Sequence, residues 1–158
     1  MPAIFKKMEL ITYDCGYKFV PELFNKITNF KDKPRGGLWA SPIDSNYGWK
    51  EACYERDIDI NPNESFEFTC EGLFLVIDGV EDLKSMLKTV VETVKCGDDE
   101  YNFYGWDFER LVDFGISAIH LTKNGLNETA HSDPGLFGWD CECVLVLNPK
   151  TVKMKEVV

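Results

Sequence analysis

The chain has 158 residues, of which 44% are hydrophobic and 13% aromatic, and its formal net charge is −10 at pH 7. This length fits one domain, 1–158, and the apolar content is too high for a disordered chain. The negative charge disfavours general nucleic-acid binding and suits a basic protein partner or simple solubility. No apolar run approaches the ~20 residues of a membrane-spanning helix, and the first residues lack the apolar core of a signal peptide. We therefore expect a cytoplasmic protein with no membrane partner.

The first half of the chain alternates short apolar segments with turns. Its predicted elements, in chain order, are a strand at Met8–Tyr13, a helix at Val20–Ile27, a basic turn at 31–37, a strand at Leu38–Ser41, a helix from Ser45 or Asn46 to Tyr54, and a turn at Asn61–Glu64. Proline in a first helical turn, and serine or asparagine just before one, are both typical of helix starts.

The second half is more strongly patterned. Its predicted elements are strands at Phe66–Thr69 and Gly72–Ile77, a helix at Val80–Val94, a polar loop at Cys96–Asn102, a helix from Asp107 to Phe114 ended by Gly115, a strand at Ala118–Leu121, a polar connection at Thr122–Pro134, a strand at Cys141–Leu147 and an extension at Val152–Val157. The apolar residues of Val80–Val94 recur at helical spacing. The runs Gly72–Ile77 and Cys141–Leu147 are typical of central strands. Because helices and strands do not strictly alternate, the pattern favours a single compact α+β domain with mostly antiparallel small sheets and short helices.

Six cysteines are spread along the chain, most of them inside apolar segments. Without an export signal, we expect all six to be reduced thiols that mainly fill the core. Cys141 and Cys143 share a strand face, but there is no C-x-x-C spacing and no second ligand pair nearby in sequence. His120 and His131 could join them only through the fold, so no metal site is predicted.

The last strand begins with two carboxylates, Asp140 and Glu142. Residues two apart in a strand share a face, so both acids should point away from Trp139, Cys141 and Cys143. One interpretation is a functional acidic site at the mouth of an apolar strand, and the other is two solvated acids where the strand leaves the core. Two like charges on one face should also raise one of the two pKa values.

Other segments offer chemistry of their own. In RGGLWASP, Arg35 can bind a phosphate or carboxylate and Trp39 can stack on a ring, although a turn into a core strand would look the same. The segment 47–49 is either a helix start with core aromatics or part of a binding site. His120, in AIHLT, is most simply a satisfied core residue. The chain contains no G-x-S-x-G, Walker A, G-x-G-x-x-G, H-E-x-x-H or EF-hand motif.

The order of these segments resembles that of small ADP-ribosyltransferase-like proteins of bacteria and phages. A Gly-Gly turn leads into the strand GLWAS, which ends in Ser41, and a Trp-bearing helix follows. DFERLVDFGISAIHLT comes later, with Phe114-Gly115-Ile116 where the family usually has Tyr-Asp-Gly-Ile. A final strand with an acid near its start runs into Asn148-Pro149. The resemblance covers Lys31–Val158 with loose spacing, and Tyr13 is the nearest polar candidate for the family's first-strand residue.

The resemblance implies an ADP-ribosyltransferase-like fold that uses NAD as a substrate, either to modify a protein target or to hydrolyse it. Glu142 would then be the catalytic glutamate, Asp140 its partner and Ser41 the second-strand hydroxyl. The residues near the cofactor would be Arg35, Trp39, Tyr13 and Trp49. A carboxylate suits this chemistry because cleavage of the nicotinamide bond passes through an oxocarbenium-like state. The alternative is an acidic phage or mobile-element protein that blocks a basic host protein without catalysis, since a fold does not fix its function.

Overall fold

A computed structural model describes residues 3–13, 20, 24–84, 86–132, 135–136 and 138–155. The strands are β1 (Ala3–Tyr13), β2 (Leu38–Pro42), β3 (Ser65–Ile77), β4 (Lys88–Cys96), β5 (Asp99–Trp106), β6 (Ala118–Leu121), β7 (Cys143–Val146) and β8 (Val152–Met154). The α-helices are α1 (Trp49–Glu55), α2 (Val80–Leu83), α3 (Phe108–Asp113) and α4 (Lys123–Thr129), with 3-10 turns at Pro62–Glu64 and Pro149–Thr151. Within these ranges, no helix has the length and apolar character needed to span a membrane.

Five strands close into a barrel in the order β1-β2-β7-β6-β3, and pairing of β3 with β1 completes the ring. β1 and β3 are antiparallel along their whole length, from Ala3↔Leu75 to Tyr13↔Ser65. The other edge of β3 is divided, since its first half pairs with β8 and its second half with β6. The β3–β6 pair is parallel, whereas the remaining pairs among the described strands are antiparallel.

Alternation along the strands separates the core into an interior layer and an outer layer. The interior cluster draws residues from every barrel strand: Leu10, Leu38, Ala40, Phe66, Phe68, Cys70, Phe74, Ala118, Val144 and Val146. The intervening residues, such as Ile119 and Leu145, face outward, where Phe108 of α3, Trp106 and Trp139 pack on them. The barrel is therefore filled by side chains, and the helices cover its outer face.

Most of the predicted strands are confirmed. β1 contains the predicted strand Met8–Tyr13, and β2 and β6 match their predicted ranges closely. The two predicted strands of the middle segment form one long strand, β3. β7 lies inside the predicted Cys141–Leu147, with all four of its residues buried. The mixed α and β character is confirmed as well.

The helix at Asp107–Phe114 is confirmed together with its caps. The Asp107 carboxylate accepts a hydrogen bond from the Arg110 N–H at 3.2 Å. Gly115 follows the helix with φ of 84°, a left-handed conformation that glycine adopts at little cost. Helix α1 is also present, but it begins at Trp49 after Gly48 rather than directly after Ser45 or Asn46.

The predicted helix at Val80–Val94 is wrong. Only Val80–Leu83 is helical, and Lys88–Cys96 is strand β4, paired antiparallel with β5. The valines recur at helical spacing, but the segment KTVVETVKC is rich in β-branched residues that favour strands. Gly97, with φ of 64°, turns the chain so that the aromatic segment of β5 pairs with β4. The predicted polar loop Cys96–Asn102 is likewise wrong, because β5 begins at Asp99.

One segment contains an unpredicted helix, and one further prediction needs correction. The polar connection Thr122–Pro134, whose structure the sequence left open, contains helix α4, whose first turn is capped by the Thr122 hydroxyl accepting from Gly125 N–H at 3.0 Å. A Cβ on Gly125 would lie 2.0 Å from the Ile77 carbonyl oxygen, so this glycine lets α4 approach β3. In the predicted helix Val20–Ile27, residues 21–23 lie outside the described part, and residues 24–27 are not helical.

Removing a ring from the barrel interior should strongly destabilise the protein. Phe68 is fully buried, whereas Phe5 on β1 is 72% exposed. Phe68→Ala should lower the free energy of unfolding by about 3–5 kcal/mol, because it leaves a cavity inside a closed ring of strands. Phe5→Ala, the same chemical change on the surface, should alter it by less than about 1 kcal/mol. Urea denaturation of both variants measures this, and equal losses would contradict the interior packing.

Candidate functional site

Glu142 lies just before β7 and is held by two side chains from distant parts of the sequence. Its Oε1 accepts a hydrogen bond from Ser45 Oγ at 2.6 Å. Its Oε2 lies 2.8 Å from His120 Nε2 on β6. The Glu142 side chain is only 16% exposed, and it continues the interior row formed by Val144 and Val146. Both oxygens of this glutamate are therefore fixed at one end of the barrel interior.

His120 connects Glu142 to a lysine on β1. Lys6 Nζ lies 2.9 Å from His120 Nδ1, and an ammonium group can only donate hydrogen bonds. With Lys6 charged, Nδ1 must accept, so the ring proton sits on Nε2 and is donated to Glu142. His120 thus links Lys6 to Glu142 through its two ring nitrogens, and its side chain is 9% exposed.

The ionisation of Lys6 and that of Glu142 depend on each other. The hydrogen bond from His120 is the main cause that lowers the pKa of Glu142, helped by Ser45 and by the charge of Lys6, while burial opposes it. Burial lowers the pKa of Lys6, and the charge of Glu142 partly offsets that effect. Glu142 is consequently ionised at neutral pH although most of it is removed from water.

Ser41 joins three segments of backbone at this site. Its hydroxyl donates to the Glu142 carbonyl oxygen at 3.0 Å and accepts from the Trp49 N–H at 2.8 Å. The latter N–H is one of the unpaired donors at the start of α1. Ser41 therefore fixes the chain just before β7 against the end of β2 and the first residue of α1, with its side chain committed to backbone partners.

A cavity of about 330 Å³ lies on the other side of the same segment. Its lining residues are Lys33, Trp39, Ala40, Trp49, Ala52, Cys53, Arg56, Ile58, Trp139, Asp140, Cys141 and Cys143. Trp39 and Trp139 meet edge to face, with centroids 4.8 Å apart, and Lys33 Nζ lies 5.3 Å from the Trp39 ring. We call this space the tryptophan cavity. Its aromatic walls suit a planar ligand, and Lys33 supplies a positive charge, whereas Arg56 is paired with Asp140.

Asp140 and Glu142 do not form the predicted pair. Asp140 is half exposed, lines the tryptophan cavity and contacts Arg56 at 3.2 Å, whereas Glu142 turns to His120. The strand begins only at Cys143, so strict alternation does not extend to residue 140. Glu142 does not show the raised pKa expected from mutual repulsion, since hydrogen bonding lowers its pKa.

The predicted cofactor residues are only partly brought together. Trp39 and Trp49 both line the tryptophan cavity, and Tyr13 packs edge-on against Trp49 with centroids 5.8 Å apart. Arg35 is not among the residues of this cavity: its backbone pairs with Thr28, and its guanidinium lies 4.5 Å from the Phe30 ring. The role assigned to Arg35 thus has no geometric support.

Three residues of the site were not predicted to act there. Lys6 and Ser45 carry no motif, and His120 was interpreted as a satisfied core residue. His120 is indeed buried and satisfied, but its partners are two ionisable side chains. Only Lys6 could have been found from the sequence, because strand alternation places it on the same inward face of β1 as Met8 and Leu10.

The cysteines show neither disulfides nor a metal centre within the described ranges. No disulfide joins the five cysteines described there, and Cys15 lies outside them. The same residues contain no group of three histidine, cysteine or acidic side chains placed to hold a metal ion. Cys53, Cys70 and Cys143 are buried, as expected of core residues, whereas Cys141 is partly exposed and Cys96 on the β4–β5 hairpin is exposed.

Comparison with known proteins does not assign the chain to a class. No family model, no curated protein and no solved structure matches it. The geometry of the site itself is therefore the basis for any functional conclusion.

The ionised state of Glu142 should appear in the pH dependence of stability. Its pKa is depressed from the ordinary value of 4.5, so the stability it contributes is present above that pH and is lost as the pH falls through the folded-state pKa. The free energy of unfolding should be higher for wild type than for Glu142→Gln at neutral pH. The gap should shrink as the pH falls below 4.5, because Glu142 takes up a proton first in the unfolded and then in the folded protein, whereas the glutamine of the variant is neutral throughout.

Urea denaturation at pH values between about 3 and 7 measures this gap, because the effect of a single carboxylate on stability extends over about 4 pH units. Glu92→Gln, an exposed change on β4, is the matched control and should show no such gap. A gap for Glu142→Gln that stays constant across the range would contradict a hydrogen-bonded, ionised Glu142.

Proposed function

We propose that this protein is an ADP-ribosyltransferase-like enzyme that cleaves the nicotinamide glycosidic bond of NAD, passing the ADP-ribose to a protein target or to water. The observation that carries the proposal is a largely buried, ionised glutamate, Glu142, fixed by two hydrogen bonds on a segment whose opposite side lines an aromatic cavity. The order of segments supports the same class, because a Gly-Gly turn, a strand ending in Ser41 and a Trp-bearing helix precede it.

The charge of Glu142 suits the reaction. Departure of nicotinamide leaves positive charge on the ribose, and a preorganised carboxylate stabilises that charge without reorganising at the moment of reaction. His120 and Ser45 hold the two oxygens and keep the group ionised. Lys6 completes the chain of hydrogen bonds, so that the imidazole keeps its proton on the nitrogen that faces Glu142.

The tryptophan cavity suits the binding of a dinucleotide. Trp39 and Trp49 offer ring surfaces for a base, and Lys33 offers positive charge for a pyrophosphate. Glu142 and this cavity lie on opposite sides of one short segment, so a substrate that spans both must pass around the start of β7. Ser41 positions that segment through the Glu142 carbonyl, and it acts here as a positioning residue.

Replacement of Glu142 by glutamine should abolish nicotinamide release while leaving the fold intact. Loss of one preorganised charge typically lowers the rate by about 10²-fold or more. Asp140→Asn should have a smaller effect, because its carboxylate contacts Arg56 rather than Glu142. Glu92→Gln should be indistinguishable from wild type. Chromatography of NAD and nicotinamide after incubation, with and without cell lysate, measures all four proteins.

The enzymatic proposal fails if the wild-type protein neither binds NAD nor consumes it when lysate proteins are supplied. Circular dichroism of each variant separates loss of chemistry from loss of folding. Equal turnover by wild type and Glu142→Gln would show that the protein consumes NAD without using Glu142 as a catalytic residue.

A second candidate is an acidic protein that binds a basic partner without catalysis. The β4–β5 hairpin favours it, because Tyr101, Phe103 and Tyr104 are each more than half exposed. Three consecutive acids, 98–100, adjoin these rings at the turn. Exposed aromatic side chains near acidic ones are typical of surfaces that bind basic proteins. Under this candidate, wild type leaves NAD intact, and Glu142→Gln keeps partner binding.

A further inference from the structure

Lys6, His120 and Glu142 form a line of three side chains at one end of the barrel interior. Lys6 Nζ lies 2.9 Å from His120 Nδ1, and His120 Nε2 lies 2.8 Å from Glu142 Oε2. An amine, an imidazole and a carboxylate thus follow one another at hydrogen-bond distance. Enzymes that form covalent intermediates place their groups in this order, with a third group orienting the base that activates the nucleophile. In NAD cleavage the amine serves only to orient the imidazole, so its own reactivity is unused.

The partner of the Lys6 amine is a group that can take up its proton. An ammonium group only donates hydrogen bonds, so one Lys6 proton points at His120 Nδ1. Transfer of that proton leaves a neutral amine beside an imidazolium, which faces the Glu142 carboxylate. Opposite charges in contact at 2.8 Å attract strongly in a largely buried site, so the carboxylate stabilises the imidazolium. A lysine paired directly with a carboxylate has no such route, because a carboxylate is a much weaker base than an imidazole.

The surroundings of Lys6 also favour the neutral amine. Strand alternation places its side chain on the inward face of β1, in the row of Met8 and Leu10. Burial lowers the pKa of Lys6, and the charge of Glu142 offsets only part of this effect. Lys7, the next residue along the strand, points to the opposite face and is exposed. It therefore provides an ordinary lysine for comparison within the same segment.

A small molecule can reach the Lys6 amine from the open end of the barrel. β1 pairs with β3 along its whole length but with β2 only at Leu10 and Ile11, so none of the other described strands flanks residues 3–8 on the second edge. Ile4, two residues along on the same face as Lys6, is 52% exposed. Lys6 itself is partly exposed. The amine is therefore held by the interior network but accessible to a small electrophile.

We propose that Lys6 is a nucleophilic lysine that forms an imine with small aldehydes, with His120 as its base. His120 Nδ1 takes a proton from the ammonium, and the nitrogen lone pair attacks the carbonyl carbon to form the C–N bond. A proton then moves from that nitrogen to the carbonyl oxygen. The imidazolium protonates the resulting hydroxyl group, which leaves as water while the C=N bond forms. The reaction needs neither an oxidant nor NAD, so it stands or fails separately from the proposed NAD cleavage.

Propionaldehyde with sodium cyanoborohydride tests this reactivity in the wild-type protein at pH 7. The cyanoborohydride reduces each imine to a stable secondary amine, and peptide mass spectrometry then gives the rate of alkylation at each lysine. Lys6 should be alkylated about tenfold faster than Lys7 or more, because the rate follows the fraction of the amine that is neutral. Equal rates at the two lysines, or a faster rate at Lys7, would overturn the proposal.

Replacement of His120 separates proton transfer from burial. The side-chain oxygen of the glutamine in His120→Gln can accept the hydrogen bond from Lys6 but cannot take its proton, so the Lys6 rate should fall about fivefold or more relative to the Lys7 rate. His131→Gln, the same change at the other histidine of the chain, should leave that ratio unchanged. Urea midpoints show whether each variant is folded, and the wild-type comparison depends on neither. An unchanged ratio in folded His120→Gln would contradict the role of His120 as the base.

Discussion

The hydrogen-bond chain from Lys6 through His120 to Glu142 is the interaction on which the site depends. It joins β1 to β6 and to the segment before β7, which lie far apart in sequence, and the three side chains meet at one end of the barrel interior. Taking a lysine and a glutamate out of water is costly, and it is offset only when every donor and acceptor is matched. Ser45 supplies the remaining partner for the carboxylate. The described side chains leave no buried nitrogen or oxygen unpaired.

This chain of hydrogen bonds also explains why the barrel has a polar end. Elsewhere in the interior the rows consist of aliphatic and aromatic residues, which pack without directional requirements. At the end with Lys6 and Glu142, the same rows finish in groups that must find specific partners. A polar network of this kind fixes one arrangement of the strands, because a shift of one residue in register would point each of its members outward. The geometry of the carboxylate is thus a consequence of strand register.

The sequence predicted the strands better than the connections, for identifiable reasons. Continuous apolar runs reveal β3 and β7, because a strand buried on both faces tolerates few polar residues. The β4–β5 hairpin escaped prediction, because valines at helical spacing in Val80–Val94 imitate an amphipathic helix while their β-branched side chains favour a strand. Helix α4 was hidden in a polar segment, where burial is limited and the capping by Thr122 is the main local signal.

The candidate site shows a similar limit. Glu142 was recognisable from its place at the start of an apolar strand. Its partners were not recognisable, because Lys6 on β1 reaches His120 on β6 only across the closed ring of strands, which no local motif reveals. Asp140 was paired with Glu142 by extending strand alternation two residues too far.

The position of β7 between β2 and β6 has a consequence for how the chain folds. Ser41 and Glu142 touch across a separation of 101 residues, and β2 meets β7 at the same place. Such distant pairings are entropically expensive and typically slow folding to the range of about milliseconds to seconds. Until β7 arrives, β2 and β6 each present an unpaired edge, which is the feature that recruits strands from other molecules. The last barrel strand in the chain therefore both completes the site and protects the folding chain from aggregation.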